Sequence, residues 1–181
     1  DHFIKNEALF RKMLLRALDL CDKSLVIFGI PPARPSTGYG YIKVQRKKEK
    51  GKSGGIYRVE RFFEKPDVKT AKRFCADGRY FWNSGMCVGS SSLFLQAIKE
   101  FLPDCFNQLQ KIKRVRELSS FWGRCKAISF DFAVLEKVQG LTMLAAHGLG
   151  WSDVGSWFSY DEQLRKDAQG KPAKSLSLRQ F

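Results

Sequence analysis

No run of about 18 apolar residues occurs in the 181-residue chain, so nothing in it reads as a membrane span. The opening, Asp1-His2-Phe3-Ile4-Lys5, has neither the basic start nor the apolar stretch of a signal peptide, and a cytoplasmic protein is expected. No CxxC pair exists among Cys21, Cys75, Cys87, Cys105 and Cys125. Their odd number and even spread argue against a disulfide framework and against zinc, leaving reduced thiols that act as small apolar residues. Internal repeats are absent, as are zinc-finger and RNA-recognition signatures.

What is present is a globular composition: 44% hydrophobic, 13% aromatic and 28% charged, enough for one ordinary domain with a real core. The net charge of +14 points to an anionic partner, whether nucleic acid, an acidic membrane or phosphorylated small molecules. Much of it lies in Arg46–Lys52 and Lys111–Arg116. Neither run interleaves aromatics at stacking spacing, so they read as a solvated loop and a polar helix face, and neither nucleic acid nor membrane is the expected partner.

Asn6 is placed to cap a helix over 7–21, with Phe10, Met13, Leu14, Ala17 and Leu18 on one buried face. Ser24–Ile30 is a short apolar run closed by prolines, as a strand buried on both faces reads. Tyr39–Val44 and Ile56–Phe63 form an expected hairpin around the basic loop. Further expectations are a helix over 67–77 ending at Gly78, a strand over 85–89 and a helical pair over 91–122. A short helix over 131–137, a strand over 141–147 and a last helix over 156–167 complete the series. This alternation indicates a layered α/β domain.

Glycines and isolated polar residues bunch into four segments at expected strand ends, where open α/β sheets bind ligands. In Thr37-Gly38-Tyr39-Gly40-Tyr41, two glycines let the backbone approach a ligand under an aromatic ring, or simply make a turn. In Phe62-Phe63-Glu64-Lys65-Pro66-Asp67, an acid and a base end an apolar strand; lysine offers a point charge for a phosphate and glutamate accepts from hydroxyls, unless the two are merely an exposed ion pair. In Phe81-Trp82-Asn83-Ser84-Gly85-Met86, an amide among aromatics suits a polyol, or an ordinary turn. In Gly150-Trp151-Ser152-Asp153-Val154-Gly155-Ser156-Trp157, the lone acid is a candidate ligand for a hard cation such as Mg2+, or a helix cap.

Together TGYGYI, FFEKPD, FWNSGM, SFDFAVLEK and GWSDVGSW, in this order, resemble the bacterial mannose-1-phosphate guanylyltransferases of the sugar nucleotidyltransferase family. Asp1-His2 resembles that family's Asp-His dipeptide at the end of a central strand. The resemblance covers 1–168 and leaves 169–181 as a polar tail. WNSGM with WSDVGSW separates it from the glucose-1-phosphate thymidylyl- and uridylyltransferases. It implies an α/β, Rossmann-like nucleotidyltransferase layered fold with a mixed central sheet, its N-terminal portion missing.

The implied reaction is attack by the phosphate of mannose 1-phosphate on the α-phosphate of GTP, giving GDP-mannose and pyrophosphate with no covalent intermediate. By the same resemblance Asp1 and Asp153 match the acids that hold Mg2+, and with Lys65, which grips the sugar phosphate, they form the implied catalytic set. Glu64, Asn83 and the Gly40 backbone match the groups that hold the mannose hydroxyls. Gly38, Tyr39, Gly85 and Asp131 complete the implied substrate-binding residues, with the roles of Asp131 and Glu136 left open.

The glycine-rich GTP loop of the family lies upstream of the Asp-His dipeptide, so an incomplete catalytic domain is expected. Its uncovered sheet edges would favour self-association, a homo-oligomer among the outcomes. Behind the transferase reading stand an inactive relative that binds a sugar phosphate or a partner protein and, last, a basic nucleic-acid-binding module.

Overall fold

The computed structural model describes residues 2–45 and 55–154. The basic loop and the expected helix over 156–167 lie outside the described residues. In chain order the elements are β1 (His2–Ile4), α1 (Glu7–Leu18), β2 (Val26–Ile30), β3 (Tyr41–Val44), β4 (Ile56–Phe63), α2 (Val68–Asp77) and β5 (Tyr80–Val88). There follow α3 (Ser91–Phe101), α4 (Pro103–Leu109), a 3-10 turn at Val115–Glu117, α5 (Leu118–Trp122), a π-helical turn at Asp131–Leu135, β6 (Thr142–Ala145) and β7 (Trp151–Asp153). The chain divides into two compact units, Lys12–His147 and Asp1–Arg11 with Gly148–Phe181.

In the larger unit all five residues of β2 are buried, as the apolar run requires. β2 pairs parallel with β6 and antiparallel with β5. The pairings continue from β5 to β3, β3 to β4 and β4 back to β6, so the mixed sheet closes on itself. Closure leaves this sheet without a free edge, and the expectation of uncovered edges does not apply to it.

The pleat sends alternate β2 side chains to opposite faces. Ile27 joins Ile42, Phe62, Phe81 and Met143 in one core, together with Ala97 of α3 and Ala133, Val134 and Leu135 of the π-helical turn. Val26 and Phe28 join Ala17 of α1 and Leu144 in the other. Each fully buried Ile, Phe or Leu contributes about 1.5–3 kcal/mol of transfer free energy.

Local signals set the helix ends. The Leu9 amide donates to Asn6 Oδ1 at 3.0 Å, capping α1 as expected. The Thr70 amide donates to Asp67 Oδ1 at 2.8 Å, and Gly78 closes α2 with φ 72°. Several expectations change; the helical pair over 91–122 is α3, α4, the 3-10 turn and α5. α1 stops at Leu18, which is 56% exposed instead of packed. β5 begins at Tyr80, not 85, so FWNSGM lies inside a strand. The element at 131–137 is a π-helical turn over Asp131–Leu135. Among the described residues no helix is long and apolar enough to cross a membrane, and all five cysteines are free thiols.

Candidate functional site

Three of the four polar segments meet in the larger unit because β3 pairs with both β4 and β5: Tyr41 lies opposite Phe63 on one side and Trp82 on the other. Gly40 just before β3, Glu64 just after β4 and Asn83 within β5 are thereby drawn together. The Asn83 amide N–H donates to the Gly40 carbonyl at 2.7 Å. A Cβ built on Gly40 would stand 2.6 Å from Glu64 Oε2 and 3.1 Å from the Phe62 ring, so glycine is what leaves room for the carboxylate.

Lys65 follows with φ 43°, the left-handed region that costs a non-glycine residue on the order of 1 kcal/mol or more. Such strain persists where surrounding structure holds it, here between the end of β4 and the Asp67 cap of α2. Lys65 Nζ lies 3.7 Å from Glu64 Oε1 with its side chain 63% exposed, against 14% for Glu64. An ion pair this open contributes little to stability, and the ammonium faces water.

The Asn83 side chain is held at both ends: Nδ2 donates to Asp131 Oδ1 at 2.8 Å, and the Gly85 amide donates to Oδ1 at 3.3 Å. Gly85 itself has φ 77°. The Tyr39 ring lies 5.0 Å from that of Trp82. Gly38 stays in the exposed loop before β3, its amide donating to Ser36 Oγ at 3.3 Å, and a Cβ there would meet nothing nearer than 3.8 Å.

Burial, opposed by Lys65 and reinforced by Asp131 and Glu136, pushes the Glu64 carboxyl above its ordinary value. Glu136 is likewise raised by burial, opposed by Lys137, with Asp131 adding to the rise. Burial first and Asp131 second push the Cys87 thiol up to about 12. Glu64, Asp131 and Glu136 thus share one electrostatic neighbourhood around Asn83. Glu136 carried no role in the sequence reading; its signal is its place in SFDFAVLEK, where its amide bonds back to the Asp131 carbonyl at 3.0 Å. Two cavities, of about 550 and 290 Å3, lie elsewhere, the first lined by Leu95, Gln96, Lys99, Phe106, Leu109 and Gln110. Neither is lined by Glu64, Lys65, Asn83 or Asp131, and the first lacks the convergent polar groups of a sugar site.

The fourth segment lies in the smaller unit. Trp151–Asp153 form strand β7, antiparallel to β1 with His2 opposite Asp153, Phe3 opposite Ser152 and Ile4 opposite Trp151. The Trp151 indole N–H donates to His2 Nδ1 at 3.3 Å. Gly150, at φ 64°, admits the Lys5 side chain, which a Cβ would meet at 2.7 Å. Asp153 is half-buried, and Asp1 lies outside the described residues. No group of three His, Cys, Asp or Glu side chains able to hold a metal ion occurs among the described residues.

The sequence model of the family described as nucleotidyl transferase matches residues 1–170. The chain is 37% identical over 179 residues to the xanthan biosynthesis protein XanB of Xanthomonas campestris pv. campestris (strain B100), covering 94% of this chain and 37% of that protein. It is 33% identical over 179 residues to a mannose-1-phosphate guanylyltransferase of Escherichia coli, covering 94% and 38%. The chain therefore spans well under half the length of these curated relatives. Among solved structures, the protein described as mannose-1-phosphate geranyltransferase from Thermus thermophilus superposes with TM-score 0.76 at 26% identity, over 90% of this chain and 47% of that one. Mannose-6-phosphate isomerase from Helicobacter pylori follows with TM-score 0.69 at 26% identity, over 84% and 61%.

Proposed function

Because the chain belongs to the nucleotidyl transferase family, we propose that it carries the sugar-phosphate side of a transferase that moves GMP from GTP to mannose 1-phosphate, forming GDP-mannose and pyrophosphate. The observation that carries this reading is the gathering of Gly40, Glu64 and Asn83 around one point beside the open Lys65 ammonium. Such a set offers a cation for a phosphate and oriented acceptors and donors for hydroxyls. The names of the curated relatives add mannose 1-phosphate and the guanylyl group.

In this reading Lys65 binds the sugar phosphate and offsets its charge, and ionised Glu64 accepts from a sugar hydroxyl. The Asn83 amide and the Gly40 backbone orient the ring, with the Tyr39 and Trp82 rings beside them. A phosphate oxygen of the bound sugar attacks the α-phosphorus of GTP as the bond to pyrophosphate breaks. Positioning and charge neutralisation supply most of the rate in transfers of this kind. Mg2+ prefers oxygen donors, and the carboxylates of Asp153 and Asp1 are that donor type. The pairing of His2, next in sequence to Asp1, with Asp153 supports the fit. Asp1 and Asp153 would hold the ion, which when bound withdraws charge from the α-phosphate.

Calorimetric titration with mannose 1-phosphate tests the reading. Binding should be weakened roughly tenfold to a hundredfold by Lys65→Ala, the effect of losing one charged hydrogen-bond partner. Equal affinity for the unchanged and Lys65→Ala chains would overturn it.

A further inference from the structure

We infer that Asp131 is a positioning residue: it orients the Asn83 amide so that one N–H and one carbonyl lone pair are presented together to two neighbouring hydroxyls of a polyol. The inference rests on the sugar-phosphate reading above and deepens it.

A side-chain amide has two N–H donors and two acceptor lone pairs. At Asn83 one donor is taken by Asp131 Oδ1 at 2.8 Å and one lone pair by the Gly85 amide at 3.3 Å. Turning the amide over would set its oxygen against the Asp131 carboxylate and its NH2 against the Gly85 N–H, opposing acceptor to acceptor and donor to donor. Both neighbours therefore select the same orientation. What remains is one donor and one acceptor on the same planar group. Two adjacent hydroxyls, one accepting from Nδ2 and one donating to Oδ1, match that pattern.

The group that sets the orientation is itself anchored. Asp131 opens the π-helical turn, its carbonyl accepting from the Glu136 amide at 3.0 Å, while Ala133, Val134 and Leu135 are at most 3% exposed in the core. The Phe132 amide donates to Ser129 Oγ at 3.4 Å, fixing the start of the turn. Asn83 is held from its own side by its main-chain bond to Gly40. An anionic acceptor makes the Asn83–Asp131 bond stronger than a neutral one. Asp131 acts a second time through its charge, because with Lys65 and Glu136 it is one of the described charged groups acting on Glu64.

The test is calorimetric titration of the full 181-residue chain with mannose 1-phosphate between pH 4 and 8, for the unchanged protein, Asp131→Leu and Asp131→Asn. Asp131→Leu should weaken binding roughly tenfold to a hundredfold, as for a lost hydrogen bond to a charged group. Asp131→Asn keeps an oxygen acceptor for Nδ2 and should recover most of that loss. In Asp131→Asn the acid limb of binding should also move to lower pH, since one like charge acting on Glu64 is gone. A merely structural role would not move that limb. Absence of binding by the unchanged chain overturns the sugar-phosphate reading and this assignment with it. Binding that survives Asp131→Leu within twofold, or an acid limb that stays in place in Asp131→Asn, overturns the positioning role alone.

Discussion

Glu64 of the larger unit stands at the end of an eight-residue strand that is paired on both sides, with its carboxylate over a glycine and its charge opposed by two nearby acids. Asp153 of the smaller unit stands on a three-residue strand with one described partner, β1, joined by three residue pairs and extended by the bonds of the Lys5 and Asn6 amides to the Gly150 and Leu149 carbonyls. Isolated two-stranded pairings are marginal in water, whereas a closed five-stranded sheet has every strand supported. The contrast teaches that Gly40, Glu64 and Asn83, the groups proposed to hold the sugar, are set by the closed sheet, while the Lys65 side chain beside them is mostly exposed. The acid proposed for metal binding depends on a short pairing between segments far apart in sequence.

The largest expected effect separates the two units by function. In a preparation that turns over GTP and mannose 1-phosphate, Asp153→Asn should lower kcat roughly 10^2- to 10^4-fold, the range for losing several kcal/mol of charge stabilisation. Mannose 1-phosphate affinity of the same variant should stay within twofold by calorimetry. A parallel loss of both would erase the distinction drawn between the units.

Gly40→Ala probes the larger unit alone. The new Cβ would fall 2.6 Å from Glu64 Oε2, the free end of a flexible side chain that swings aside, and 3.1 Å from the ring of buried Phe62, which must shift by a few tenths of an ångström. Mannose 1-phosphate affinity should fall about tenfold, for one lost hydrogen bond to a charged group, with the Tm lowered modestly by the displaced Phe62 ring.

Lys65→Gly tests whether strain is stored in the binding unit. Removing the side chain from φ 43° should raise unfolding free energy by up to about 1 kcal/mol in a urea titration, less the added entropy of glycine in the unfolded chain, while sugar-phosphate binding weakens roughly tenfold to a hundredfold as in Lys65→Ala. A stability loss larger than the roughly 1 kcal/mol that glycine entropy alone can cost would show that Lys65 is held there by contacts, not against strain.

The smallest effect concerns Glu64 itself. Its folded carboxyl is raised above the unfolded value, so its contribution to stability is fully present below the unfolded value and is lost as pH rises through the folded one. Glu64→Gln should therefore raise the Tm slightly at pH 7, and the difference should shrink as the pH falls toward 4.

Much of the larger unit was legible in the chain. The Asp67 cap and Gly78 stop bracket α2 because cap chemistry is local, and Ser24–Ile30 reads as a buried strand because its apolar run is uninterrupted. Glu64, Lys65 and Asn83 stood out as polar residues against apolar strands. The start of β5 did not, because Asn83, Ser84 and Gly85 break the apolar pattern while the backbone stays in the sheet, Asn83 bonding across to Gly40. β1 and β7 are three residues each, too short for a period, and their contact spans 149 positions. The Asn83–Asp131 bond spans 48 positions and depends on a π-helical turn that no local pattern announces. The closed sheet followed from a return pairing of β6 with both β2 and β4 that alternation of strands and helices does not specify.

The central claim is that one constellation in the larger unit holds the sugar phosphate, and amide chemical shifts during a mannose 1-phosphate titration test it most directly. The largest shifts should fall on the backbone amides of Gly40, Glu64, Lys65, Asn83 and Gly85 and on the Asn83 side-chain amide, with the Lys111–Arg116 run unmoved. Shifts confined to that basic run, with those five residues still, would contradict it.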